Sequence, residues 1–442
     1  MRSKKKALTG AILATAALGL GAGAAWAADP AAAGPGPNAA ASELAQASPP
    51  PPPGPPPGAP PGPPPPAAAA PPPTAAPAGP TLLLPVGATL SANPNPENFD
   101  LGPWLGKVYT TGIVSGLGFF QSNPVIGNND GYADISNGMV FVQNAAGPVQ
   151  FFAQAGIYSI PTLSAPYVRA DKLNSLLFGP LPQAFVKYVP NDAFSVEVGR
   201  LPTLIGSEST FTFQNDNIER GLLWNQENAV NQGIQANYTV GPVAFAVSLN
   251  DGFFSSNFDW LTGNATYTIN SSNQIIVCAG GNFGSSRLNT FGTPIAQNNS
   301  SIYNLMYVGT WGPWTLAPYL QFTHVPDNSA LQQAGFTHDA DTFGFSLNGA
   351  YSFNDNWKLG LRGEYITSSG NATDGAPSLL AGGPGADNWS LTVTPTYQYK
   401  VFFARAELSY VGLGSTTPGF AFGKGGTSDS QVRVMFETGV IF

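Results

Sequence analysis

QVRVMFETGVIF, residues 431–442, is the stretch from which the fold is read. Val432, Val434, Phe436, Thr438, Val440 and Phe442 fall on one face of an extended strand. Gln431, Arg433, Met435, Glu437, Gly439 and Ile441 fall on the other. Side chains of a strand alternate with period two, so a strand of this kind separates two environments. A terminal strand with an aromatic last residue is what closes a transmembrane β-barrel and puts alternate side chains into lipid. Phe442, Val440 and Phe436 are its candidate assembly signal, presented to the barrel-assembly machinery.

The same two-faced pattern recurs upstream. In 234–240, Ile234, Ala236, Tyr238 and Val240 alternate with Gln235, Asn237 and Thr239. In 357–365, Trp357, Leu359, Leu361 and Tyr365 oppose Lys358, Arg362 and Glu364. In 389–399, Trp389, Leu391, Val393, Tyr397 and Tyr399 oppose Ser390, Thr392, Thr394, Thr396 and Gln398. One face suits hydrocarbon and the other suits water, and the aromatic strand ends match interfacial girdles. The spacing predicts strands near 106–119, 131–143, 148–159, 182–190, 192–200, 232–240, 243–250, 262–270, 273–281, 302–310, 314–324, 341–352, 356–367, 387–399, 401–411 and 430–442. Short turns and long loops alternate between them. The expected class is therefore all-β, a transmembrane antiparallel β-barrel of about 16 strands, with 14 to 18 open. It must close, because lipid offers no partner for an open edge. A cylinder of that size is too wide for its own inward side chains to fill, so it holds water unless loops plug it.

Four domains are expected: 1–27, 28–80, 81–105 and 106–442. MRSKKK, the apolar stretch from Ala7 and Ala25-Trp26-Ala27 have the order of a secretory signal peptide. Residues 28–80 are dominated by Pro, Ala and Gly and predict a disordered, extended segment without a core. Residues 81–105 form a transition whose apolar run Leu82–Val86 suits a barrel mouth. No later stretch offers the continuous apolar length of a membrane helix.

Loss of Arg2, Lys4, Lys5 and Lys6 with the leader would leave 13 of the 17 basic residues against 25 acidic ones, a formal charge of −12. No basic patch points to nucleic acid. Cys278 is the single cysteine, so no internal disulfide is possible, and a packed or lipid-facing thiol is expected. His324 and His338 lack ligand-like sequence neighbours, so no metal, cofactor or hydrolytic site is expected.

Three stretches carry a family resemblance. They are Glu197–Glu208 (EVGRLPTLIGSE), Asn217–Asn225 (NIERGLLWN) and Gln232–Ala236 (QGIQA), together with the terminal strand. With these, residues 100–442 resemble the outer-membrane β-barrel porin-2 group, the OmpL-like porins. The resemblance implies a passive channel in the outer membrane of a Gram-negative bacterium. Its partners would be outer-membrane lipid and small hydrophilic solutes or ions, as a monomer or homo-trimer. The alternative is a structural anchor that uses the Pro-rich segment as a periplasmic tether contacting the cell wall.

The longest connection, 201–231, holds Glu208, Asp216, Glu219, Arg220 and Glu227, with Arg200 just before it. Folded inward, these would narrow the passage and set a transverse field. Left outside, they would be a solvated loop with weak ion pairs. Lys187, Glu197, Lys358, Arg362, Glu364, Arg405, Glu407, Arg433 and Glu437 fall on the polar face by parity. A charge facing lipid at midplane costs about 2–4 kcal/mol, so they should point inward.

Overall fold

The computed structural model describes residues 90–442, except 94, 103 and 104. The expected leader and Pro-rich segment lie outside the described residues, as does the apolar run Leu82–Val86. Four residues, β1 (Glu97–Asp100), precede the barrel. The barrel starts with β2 (Lys107–Gln121), β3 (Gly131–Asn144), β4 (Val149–Tyr158), β5 (Gln183–Asn191) and β6 (Phe194–Pro202). It continues with β7 (Val230–Val240), β8 (Val243–Asn250), β9 (Trp260–Asn270), β10 (Asn273–Asn282) and β11 (Ser301–Trp311). It ends with β12 (Trp314–Val325), β13 (Ala340–Ser352), β14 (Trp357–Ser368), β15 (Asp387–Tyr399), β16 (Phe402–Gly414) and β17 (Ser430–Ile441).

Each of these sixteen strands pairs antiparallel with its sequence neighbour, and β17 pairs with β2 from Arg433↔Gln121 to Ile441↔Ile113. The sheet is thereby a closed barrel. Phe442 completes the seam: its N–H donates to Gly112 O (2.9 Å) and its carbonyl accepts from Gly112 N (2.8 Å). A side chain at Gly112 would meet the Phe442 ring at 2.6 Å, so the bare backbone there makes room for the last aromatic.

The outer face is apolar and exposed. Val432, Val434 and Phe436 of the last strand are exposed, whereas Arg433, Met435 and Glu437 are buried inside. At the short-turn end Tyr188, Tyr238, Tyr267, Trp314, Trp357 and Tyr399 form one outward aromatic girdle. Phe120, Tyr303, Phe322, Phe343, Tyr365 and Trp389 form another near the long loops. Two girdles flanking an apolar band are the surface a bilayer requires.

The four-residue β1 has no alternating pattern to announce it. It pairs with Lys107–Thr110 of β2, beyond the point where β17 ends, and so covers an edge that would otherwise stay open. Just before it, Leu90 is buried against inward residues of the short-turn end, in a cluster with Ile113, Met139, Phe403 and Ile441. Gln398 grips the next residue from both sides, accepting from Ser91 N (2.7 Å) and donating to Ser91 O (2.9 Å).

Candidate pore constriction

Residues 203–229 connect β6 to β7 and turn into the barrel. None of them is exposed; only Ser207, Ser209 and Asp216 are partly so. The segment has two short 3-10 turns, at Thr212–Gln214 and Leu223–Gln226, and is otherwise irregular. An irregular chain inside a protein must find side-chain partners for its peptide groups. Here the charged residues of the wall supply them.

The arrangement is clearest over 217–223. Glu407 on β16 accepts from Ile218 N (2.5 Å) and Glu219 N (2.9 Å). Glu208, within the loop, accepts from Gly221 N (2.8 Å). Glu364 on β14 accepts from Leu222 N (3.0 Å) and Leu223 N (3.3 Å). Arg220 N donates to Pro161 O, and Arg220 O accepts from Leu163 N. The Arg220 guanidinium folds back on its own loop, donating to the carbonyls of Ser209, Asn217 and Ile218. Arg362 on β14 donates to Glu219 O (2.7 Å).

The same charges neutralise one another. Arg362 lies 2.6 Å from Glu208 and 3.2 Å from Glu364. Arg405 on β16 pairs with Glu437 on β17, and Arg433 on β17 pairs with loop residue Glu219. Glu437 also accepts from Thr212 Oγ1 (2.7 Å), and Arg405 donates to the carbonyls of Thr212 and Asn215. Charged hydrogen bonds in a dry site are among the stronger ones, and each buried charge demands its partner. The cluster therefore both docks the loop and depends on it.

Elsewhere the loop is held by apolar contact. Phe211 and Phe213 stack at 6.1 Å, and Phe213 meets Phe141 at 5.7 Å. Phe152 joins Phe141 (6.3 Å) and Phe185 (5.6 Å) on the inner faces of β3, β4 and β5. On the opposite flank Ile205, Leu222 and Leu223 pack in one cluster with Ile276, Cys278, Ile302 and Met306. The inner wall is thus not uniformly polar, as alternation suggested. Where the loop docks, the inward face meets protein rather than water, and apolar residues are used there. The thiol of Cys278 is packed on this inner face and free.

Gly206 turns the loop. Its φ is +81°, and a β-carbon there would sit 1.8 Å from a Glu227 carboxylate oxygen. Only glycine fits a left-handed turn pressed against that group. Glu227 is itself fully buried, with Tyr319 Oη donating to it at 3.4 Å.

A family model described as "Putative beta-barrel porin-2, OmpL-like" matches residues 107–442. The chain belongs to this family. The outer-membrane channel DcaP of Acinetobacter baumannii shares 12% identity at a TM-score of 0.52, covering 76% of this chain and 97% of that one. In-vitro folded OmpT of Vibrio cholerae shares 13% identity at 0.50, covering 77% and 99%. The anion-selective porin from Comamonas acidovorans shares 14% at 0.50, covering 76% and 99%. At such identities the likeness is one of fold: a porin-like outer-membrane barrel. No curated protein matches the sequence.

In this porin-2 barrel the charged residues singled out in the sequence do not all meet. Glu208, Glu219, Arg220, Arg362, Glu364, Arg405 and Glu407 come together at the docked loop, joined by Arg433 and Glu437. Asp216 is partly exposed on the loop, and Lys358 is partly exposed on the inner face nearer the short-turn end; Glu227 lies apart, beside Gly206. Arg200 is a correction. Its register partners Ala184 and Gln232 place it on the outward side of β6, three positions from inward Glu197 and one from inward Leu201. It donates to the carbonyls of Phe178 (3.0 Å) and Leu181 (2.6 Å) and lies over the Phe254 ring. Counting by twos from Glu197 already puts it outside. Further out, Lys187 and Glu197 pair across β5 and β6 at 3.1 Å.

The docking role of several residues was not visible in the sequence: Gln121 accepts from Arg433, and Thr212, Ser390, Thr394 and Ser409 donate to buried carboxylates. Strand parity faces the last three inward but cannot reveal their partners. At the long-loop end the fold also gathers His324, Asp339 and Asp341, with potential ligand atoms within 4.8 Å and His324 Nδ1 2.7 Å from Asp341 Oδ1. The sequence separates these residues, so the grouping was not foreseen.

Proposed function

We propose that the chain is a passive outer-membrane porin of narrow aperture for small hydrophilic solutes and ions, and not an enzyme. The observation that carries this is the docked 203–229 segment inside a closed barrel whose outer face is apolar and whose inner face carries the charges. A barrel in lipid with polar groups inside holds water wherever protein does not fill it, and a loop held in the lumen sets the size and charge of what passes. The family and the porin-like folds agree with that assignment. The short turns would face the periplasm and the long loops the outside. The charged groups here serve as hydrogen-bond and ion-pair partners of the loop, an arrangement that fits positioning rather than acid–base chemistry.

Liposome swelling with neutral sugars of graded size tests this. Folded protein should admit the smallest sugars and exclude the larger ones. Swelling indistinguishable from empty liposomes, with the protein shown folded and inserted, would refute it.

A further inference from the structure

On the short-turn side of the docked loop, the inner faces of β7 to β13 stand partly open to solvent. Asn237, Asn264, Thr268, Gln274, Thr315 and Asn348 point inward there, and each is partly exposed. Val308 and Ala317 interrupt this series with aliphatic side chains. Deeper on the same strands Ile276, Met306 and Tyr319 are buried in one cluster with loop residues Ile205, Leu222 and Leu223. The open space is therefore a vestibule that ends at the loop. At the same end of β15, β16, β17 and β3, the inner positions Thr396, Gln398, Phe403, Ile441 and Gln143 are buried, and Ser91 is clipped to Gln398. The open wall thus runs round one side of the barrel, and β7 to β13 make most of it.

This wall carries no charge. β7 to β12 contain no Asp, Glu, Lys or Arg. Asp341 of β13 lies opposite His324 and in phase with exposed Phe343 and Phe345, so it faces outward. At the edges of the vestibule, charges of opposite sign stand together. Lys187 and Glu197 pair at 3.1 Å on one edge. On the other, Lys358 is two positions from Gly360, against which Asp216 of the loop lies. At the rim Lys107 stands opposite Asp100 of β1. The arginines and glutamates that dock the loop are buried against one another and against peptide groups, and do not line the vestibule.

Selection of ions by sign needs unbalanced charge near the path, within roughly 8–10 Å at ordinary salt. Amides and hydroxyls act differently. Asn and Gln side chains both donate and accept, as Thr does, and so does a solute hydroxyl. Such groups replace the water that a hydroxyl-rich solute gives up on entering, and they offer an ion no counter-charge for its lost hydration.

We infer that this vestibule favours uncharged, hydroxyl-rich solutes over ions of either sign, with Asn264 and Thr268 of β9 among the groups they meet. This rests on the porin assignment and names the solute class.

Efflux of radiolabelled glucose, gluconate and protonated glucosamine tests it, from vesicles of uncharged lipid holding the full refolded barrel. Glucose should leave faster than either charged analogue. Asn264→Asp should speed glucosamine and slow gluconate, and Asn264→Lys should do the reverse, each by about threefold, the Boltzmann weight of one unit charge roughly 7 Å away in water. Thr268→Asp and Thr268→Lys serve as the second position should Asn264 variants fold poorly. Either charged analogue leaving as fast as glucose through the unaltered protein would overturn the inference. So would folded Asn264 and Thr268 variants that leave all three rates unchanged. Failure of the porin assignment has a different signature: folded, inserted protein that releases none of the three solutes, which would withdraw both readings.

Discussion

Arg362→Met is the most informative single change at the docked loop. The guanidinium touches Glu208 at 2.6 Å and Glu364 at 3.2 Å, and it donates to Glu219 O at 2.7 Å. Methionine keeps the bulk and removes the charge, leaving two carboxylates buried beside each other. Removing one partner of a buried pair costs about 3–5 kcal/mol. The wall keeps every ladder bond of β13, β14 and β15, so the penalty falls on loop docking rather than on the barrel. At ~1.4 kcal/mol per factor of ten, the docked-to-undocked ratio should fall by roughly two to three and a half orders of magnitude. Single-channel recording in planar bilayers would show this as larger and more frequent open levels. Heat-modifiable gel mobility of the same sample would confirm an intact barrel. Adding Glu208→Gln and Glu364→Gln should reverse most of the effect, because each amide oxygen can still accept from Gly221 N or Leu222 N while the unpaired charges are gone. An intact Arg362→Met barrel with unchanged conductance would show that these pairs do not hold the loop.

Gly206→Ala places a methyl group on a Glu227 oxygen at φ +81°; the backbone strain alone is of order 1–3 kcal/mol, and loop displacement should appear as faster proteolysis within 203–229. Leu391→Arg puts a charge on the exposed outer face and should lower the unfolding free energy in lipid vesicles by about 2–4 kcal/mol, whereas Leu391→Phe should leave it nearly unchanged. Removing Phe442 deletes the two seam bonds to Gly112, and the yield of heat-modifiable folded protein should drop while translated amounts stay equal.

Much of the barrel was legible because alternation survives wherever one face meets lipid. The terminal strand, β15 and β14 each separate exposed Val, Leu, Trp and Tyr from buried Ser, Thr, Arg and Glu, and the boundaries of all sixteen strands lie within a few residues of those expected. The four-residue β1 escaped because ENFD has no such contrast and forms only where β17 runs out. Phe152 shares the inward parity of Gln150 and Gln154 on β4, but it meets Phe141 and Phe185 rather than water. Parity tells which way a side chain points and not what it meets. The loop was harder still. Its charges were visible, yet the pairing of Glu219 with Arg433 and of Glu407 with two peptide groups joins residues about two hundred positions apart, and no local pattern encodes that.

The passage itself is tested most directly by the conductance of the unaltered, refolded protein in planar bilayers. Small, discrete current steps, enlarged when residues 209–226 are replaced by a short flexible linker, are the expected result. Folded, inserted protein that gives no steps, with or without that segment, would contradict a water-filled route through this barrel.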